Sequence, residues 1–186
     1  MTPSGSVEGD ERLRLFLGFG VPDAPAREIE RWQRAELPEH GVRPVPRDNL
    51  HVTIAFLGSR PAGEVGPIAE ALRAAVQGVA PPVLTPVRYR ETRAVGMVVF
   101  DDEEGRATRI AEEAHRRLAD LRVYEPERRS WLPHLTVVRF RERPRLSPSI
   151  PALGPVTLSD AAVYMSRLRP SGAQYEVVES VPLGGG

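Results

Sequence analysis

The ordered pattern of the chain starts at Leu13-Arg14-Leu15-Phe16-Leu17-Gly18-Phe19, an apolar run that alternates in part and stops at Val21-Pro22. Such a run predicts a strand followed by a turn. Asp23 precedes residues 24–37, which predict an amphipathic helix capped by Asp23 and stopped by Pro38. Pro44-Val45-Pro46 keeps the chain extended, and Asp48-Asn49 turns it into a second apolar run over 50–58. A loop is expected over 58–63. Val65, Ile68, Leu72 and Val76 then form one stripe of a helix over 64–79, ended by Pro81-Pro82.

The runs 83–92 and 94–100 predict two strands of a hairpin. Asp101-Asp102 caps a helix expected over 103–121, with Ile110, Ala114 and Leu118 on one stripe. A loop rich in proline and arginine, 124–130, leads into another apolar run over 131–140. Strands over 157–167 and 174–182, joined at Arg169-Pro170-Ser171-Gly172, close the pattern. Mixed helices and hairpins favour antiparallel sheets, hence an α+β fold. No Gly-x-Gly-x-x-Gly follows a strand, so a dinucleotide-binding fold gets no support.

Two of the apolar runs break their pattern in the same way. Leu50-His51-Val52-Thr53-Ile54 and Pro133-His134-Leu135-Thr136-Val137 each carry His-x-Thr, 83 residues apart. Side chains alternate along a strand, so His51 and Thr53 share a face, as do His134 and Thr136. Histidine is a poor choice for a buried strand face unless its nitrogens find partners. One motif per half, in similar element order, suggests a duplication into two α+β lobes. If the two strands face each other, two imidazoles and two hydroxyls oppose across a cleft, which is equipment for acid–base chemistry on a phosphodiester.

Composition narrows the choice. The 186 residues, 41% hydrophobic, suit one domain or two intimately packed lobes. There is no cysteine, which excludes disulfides, thiolate metal sites and a cysteine nucleophile. All 25 Lys+Arg positions are arginine, so no lysine can serve a P-loop, a Schiff base or a lysyl-nucleotide intermediate. The 25 acidic residues balance them, arguing for a small or single-ended substrate over a long duplex footprint. The Arg-rich stretches at 116–117, 128–129 and 139–145 are read as mostly solvated surface.

No apolar run reaches membrane-spanning length. Residues 1–11 are polar and acidic, unlike a signal peptide, and are expected to form a disordered leader to a bilobal domain over 12–183. The closing glycines are expected to be floppy, and the protein cytoplasmic and monomeric.

The remaining histidines offer less. His40 lies in a loop and His115 on a helix among arginines, and surface roles are expected for both. Glu112-x-x-His115 has metal-motif spacing without partners on other helices. His51 and His134 lack a third ligand at a recognisable spacing, so no metal and no cofactor are assigned. Serine hydrolysis lacks a Gly-x-Ser-x-Gly elbow.

At these residues the chain resembles the two-histidine (2H) phosphoesterase superfamily, and within it the RNA 2′,3′-cyclic phosphodiesterases long called 2′-5′ RNA ligases. The resemblance spans Arg14-Leu15-Phe16, residues 51–58, Pro133-His134-Leu135-Thr136 with Arg139, Ser166-Arg167-Leu168, and Gly172-x-x-Tyr175. The chain departs from many relatives in the stretch Pro46-Arg47-Asp48 and in its arginine bias. The resemblance implies a bilobal, pseudo-twofold fold with antiparallel sheets flanked by helices around a central cleft. It implies His51 as proton donor, His134 as proton acceptor, and Thr53 and Thr136 as phosphate-binding groups. The implied reaction is hydrolysis of RNA 2′,3′-cyclic ends to 2′-phosphates, with weak reverse ligation.

Arg139, Phe16 and Tyr175 are candidate substrate-binding residues. Strict alternation from His134 puts Arg139 on the wrong face unless the strand bulges first. Phe16 and Tyr175 are candidates to stack on a base, with core packing the favoured role for Phe16. Two alternatives stand beside this reading. One is a phosphodiesterase for a small cyclic nucleotide or an ADP-ribose cyclic phosphate, the other a non-catalytic nucleotide-binding module.

Overall fold

A computed structural model describes residues 11–170 and 172–184. The expected leader therefore lies, but for Glu11, outside the described residues, as do Ser171 of the last turn and the final two glycines. The elements in chain order are β1 (Arg12–Gly20), α1 (Asp23–Glu36), β2 (Val42–Pro44), β3 (His51–Pro61), α2 (Val65–Val76), β4 (Val83–Glu91), β5 (Val95–Asp101), α3 (Arg106–Asp120), β6 (His134–Phe140), β7 (Val156–Thr157), β8 (Asp160–Arg169) and β9 (Gly172–Pro182).

The strands run β7-β4-β5-β6-β3-β1-β8-β9, with β2 paired to β6 beside this path. Every pairing is antiparallel. The middle of the path is its thinnest point, because β3 and β6 meet only at Val52 opposite Leu135. Those residues are 83 apart, the same offset as the two motifs. The pseudo-twofold relation of the lobes passes between them, with β3-β1-β8-β9 on one side and β6-β5-β4-β7 on the other. Beyond this contact the lobes part, and β2 takes up the free edge of β6 at Pro44 opposite Val138 and Arg43 opposite Arg139.

One face of the sheet is closed by helices. Leu15, Leu17 and Phe19 of β1, and Val52 and Leu135, meet Ile29 of α1, Ile68 and Leu72 of α2, and Ile110, Ala114 and Leu118 of α3. These side chains are essentially without solvent exposure. Burying each of the larger ones contributes about 1.5–3 kcal/mol, so the apolar stripes of the sequence decide which helix faces turn inward. The opposite face is left concave, and there the polar exceptions of the strand pattern collect.

Several expectations need correction. Asp23 does not cap α1: Pro22 occupies the N-cap, and Asp23 pairs with Arg27 one turn on. Asp102 does cap α3, though the helix starts later than expected, at Arg106 after the left-handed Gly105. Its carboxylate accepts the Thr108 N–H at 2.8 Å and the Thr108 hydroxyl at 2.8 Å. The loop expected over 58–63 is largely strand, since β3 runs on to Pro61 opposite Arg12. Gly58, at φ +69°, absorbs the irregularity there in a conformation that favours glycine. The strand expected over 157–167 is two: β7 pairs with β4 in one lobe and β8 with β1 in the other. The chain thus crosses between lobes at Leu158-Ser159. β2, read only as an extended approach, is a paired strand.

Candidate active site

Antiparallel register builds the site around the Val52–Leu135 contact. Both residues point into the core, so their neighbours point the other way. His51 then stands opposite Thr136, and Thr53 opposite His134, with the two imidazoles on a diagonal. All four side chains share one face of the sheet at its centre.

Each imidazole is oriented by its own backbone. His51 Nδ1 lies 2.8 Å from the Asn49 carbonyl, and His134 Nδ1 lies 2.8 Å from the Leu132 carbonyl, two residues upstream in both cases. A carbonyl can only accept, so Nδ1 carries the proton in each ring and Nε2 is left for chemistry. Thr53 Oγ1 sits 3.0 Å from His51 Nε2 and donates to it while the ring is neutral. Burial pushes the His51 pKa down to about 4, reinforced by the nearby charges of Arg139 and His134 and opposed by the bond to Asn49.

Both motif strands bulge just after the threonine. On β3 the register against β1 steps from Thr53 to Ala55, leaving Ile54 without an opposite. On β6 the register against β5 steps from Thr136 to Val138, leaving Val137 extra. A bulge re-aims the side chains beyond it. Here it brings Phe56 and Arg139 onto the cleft face, each five residues past its histidine, and both are exposed there. Arg139, on the wrong face under strict alternation, therefore lines the cleft.

The bulged carbonyls are held from below by side chains. Gln33 of α1 donates at 2.7 Å to the Val137 carbonyl and at 3.0 Å to the Val45 carbonyl. His115 of α3 donates through Nε2 at 2.7 Å to the Ile54 carbonyl. Helices of each half thereby hold the motif strand of the other half. His115 is accordingly not a surface residue as expected: it is partly buried, stacked on Tyr124 at 4.8 Å. His40 is exposed, as expected.

The cleft holds a cavity of about 750 Å³ lined by His51, Thr53 and Arg139 together with Phe16, Phe56 and Tyr175. His134 and Thr136 stand beside this cavity rather than in its lining. Phe16 is only 3% exposed, its ring 4.7 Å from His51, 4.9 Å from Tyr164 and 4.9 Å from Tyr175. It has no free face for a base and instead packs under His51, which agrees with its favoured packing role. Tyr175 is half-buried and meets His51 edge-on at 5.2 Å.

The lining includes residues not singled out from the sequence, namely Arg14, Arg43, Asn49 and Phe56. The guanidinium of Arg14 lies over the Phe56 ring at 4.8 Å. Asn49 donates to the Ala173 carbonyl at 2.7 Å, tying the approach to His51 to β9. A signal for Phe56 was present: Ile54-Ala55 and Val137-Val138 put two apolar residues in succession after each threonine, out of step with the strand period. Among the described residues, no cluster of three or more His, Asp or Glu side chains stands where it could share a metal ion. None of their helices is long and apolar enough to cross a membrane.

The sequence and the fold both have counterparts among known proteins. The family model for LigT-like phosphoesterases matches residues 19–87. An RNA 2′,3′-cyclic phosphodiesterase of Methanocaldococcus jannaschii is 25% identical over 90% of this chain and 99% of its own length. One of Thermus thermophilus is 29% identical over 93% of this chain and 91% of its own. A crystal structure of a Thermus thermophilus protein superposes with a TM-score of 0.78 at 27% identity, covering 93% of this chain and 99% of that one. Escherichia coli LigT, solved in complex with 3′-AMP, superposes equally well, with a TM-score of 0.78 at 20% identity over 93% of this chain and 99% of its own. In its matched segment and in its fold the chain is similar to the LigT-like phosphoesterases.

Proposed function

We propose that the protein hydrolyses RNA ends carrying a 2′,3′-cyclic phosphate to 2′-phosphomonoesters, with weak reverse ligation to 5′-hydroxyl ends. The observation that carries this reading is the convergence of His51, Thr53, His134 and Thr136 on one sheet face, with Nδ1 of each histidine held by a backbone carbonyl and Nε2 turned away from it. In-line displacement at phosphorus needs an acid and a base on opposite sides, and the diagonal histidines meet that need. His134 takes the proton of the attacking water and His51 protonates the departing ribose 3′ oxygen. Thr53 and Thr136 donate to the non-bridging oxygens as charge builds there. Each proton transfer contributes roughly 10²–10⁴-fold in rate. The scheme uses no metal or cofactor.

The low pKa of His51 belongs to the free protein. A bound phosphodiester brings a negative charge against the ring, which favours the imidazolium and prepares His51 as a donor. The named activity of the archaeal and thermophilic relatives supports the substrate class. So does the nucleotide bound by Escherichia coli LigT. The cavity volume lies within the range of small-ligand sites.

The test is incubation, in EDTA, with an RNA oligonucleotide ending in a 2′,3′-cyclic phosphate; conversion to a 2′-phosphate is expected. His51→Ala and His134→Ala should each lose roughly 10²–10⁴-fold in turnover while remaining folded. On an aryl phosphodiester whose leaving group needs no proton, His51→Ala should recover much of its loss and His134→Ala none. Near-wild-type turnover of the RNA by either variant would overturn the scheme, and recovery by His134→Ala instead would exchange the two roles.

A further inference from the structure

The cleft carries more positive charge than one phosphate requires. Its lining includes Arg14, Arg43 and Arg139 and no aspartate or glutamate. Among the described residues, none of the three is ion-paired with a carboxylate. Elsewhere among the described residues the arginines divide: Arg27, Arg60, Arg116, Arg117 and Arg143, for example, hold acidic partners, and others such as Arg88, Arg90 and Arg141 do not.

Arg43 and Arg139 are also directly opposed. They form a register pair between β2 and β6, so their side chains leave the sheet on the same face with Cβ atoms about 5 Å apart. Like charges in that position destabilise a sheet. β2 pairs over only three residues, one of which is Arg43, so the strand sets a second cation against Arg139 at the lip of the cleft. Both residues are exposed, and neither is needed for the core. Arg139 is near enough to His51 to influence its protonation, and Arg43 stands one strand further out.

We propose that Arg43 and Arg139 form a clamp for a second phosphate of the substrate. That phosphate is the internucleotide phosphodiester on the 5′ side of the terminal nucleotide, whose own cyclic phosphate lies against the histidines. The inference rests on the proposed reaction and deepens it: the clamp makes a 2′,3′-cyclic dinucleotide a better substrate than a 2′,3′-cyclic mononucleotide. Guanidinium groups suit this task, being permanently charged and able to grip a phosphate in two places. An anion between the two guanidiniums also removes their mutual repulsion, which ties binding energy to the presence of the second phosphate.

The experiment compares kcat/KM for adenosine 2′,3′-cyclic phosphate, for the dinucleotide ApA ending in the same cyclic phosphate, and for that dinucleotide with a neutral methylphosphonate linkage. The wild-type protein should prefer the charged dinucleotide by about tenfold or more, a charge-assisted contact's worth. The neutral linkage should abolish most of this preference. Arg43→Gln should reduce turnover of the charged dinucleotide to about the level of the neutral one, a larger fold-loss than it causes on the mononucleotide. Equal losses on all three substrates, or no loss on any, would overturn the clamp.

A binding readout separates this failure from failure of the reaction itself. Calorimetric titration with the 2′-phosphorylated dinucleotide and mononucleotide needs no turnover. If the wild-type protein hydrolyses none of the three compounds, the proposed reaction falls. The clamp then stands if Arg43→Gln weakens the dinucleotide more than the mononucleotide, and falls if it weakens both equally or neither.

Discussion

His51 shows how one residue's surroundings turn into a measurable property of the protein. Phe16, Tyr164 and Tyr175 surround its ring, and burial holds its pKa at about 4, where an unfolded chain titrates near ~6.5. Between those values the unfolded state binds more protons than the folded one. Stability therefore rises with pH across that window and is lost as the pH falls from about 6.5 towards 4, by at most about 3 kcal/mol from this residue. Urea unfolding of wild type and His51→Gln at pH 4.5 and 7.5 checks this, with a flatter pH dependence expected in the variant. The same slope in both proteins would mean that His51 is not desolvated as described. Proton NMR of the ring should place its midpoint near 4 in the free protein and higher with a 2′-phosphate bound, because the added anion favours the charged form.

At the scale of elements, the site depends on two irregularities that a regular pattern conceals. The bulges after Thr53 and Thr136 turn Phe56 and Arg139 into the cleft, and Gln33 and His115 hold the bulged carbonyls. Gln33→Leu should cost about 1–3 kcal/mol in stability, the penalty for unpairing buried polar groups. It should also lower activity by letting Arg139 drift. If Gln33 acts through Arg139, then in an Arg139→Ala background the Gln33→Leu change should have little further effect on kcat/KM. Fully additive losses in that double-mutant cycle would reduce Gln33 to a purely structural role.

These devices explain what could be read in advance. The His-x-Thr strands, the helices and the hairpins follow from local periodicity and were legible to within a few residues. The placement of Arg139 was legible only conditionally, because alternation holds until a strand gains a residue. Gln33 and His115 were not legible at all. Their partners lie 104 and 61 residues away, and nothing on their own helices marks them. β2 was missed because three residues with a proline at one end carry almost no strand signal, and its pairing is set by β6.

At the scale of the whole molecule, the two motifs suggest two halves in succession, yet the lobes are interwoven. The chain starts one lobe with β1 and β3, builds the other with β4, β5 and β6, and returns to the first with β8 and β9. β1, with Leu15, Leu17 and Phe19 fully buried, is therefore flanked by β3 from early in the chain and by β8 from late in it. β7 and β8 join opposite lobes with only Leu158 and Ser159 between them. Neither lobe can complete its sheet before the last strands are made, and the helical core is shared by α1, α2 and α3. Residues 12–183 should thus unfold as one unit despite the bilobal shape. The two tryptophans report on it: Trp32 lies in α1 and bonds the Ser149 carbonyl, while Trp131 bonds the Thr53 carbonyl beside the histidines. Tryptophan fluorescence and far-ultraviolet circular dichroism should give one coincident transition in urea. A Trp131→Phe variant, which leaves Trp32 as the sole reporter, should show the same midpoint by both probes. Two separated transitions would mean that the lobes hold their structure independently, and that the cleft opens before the core is lost.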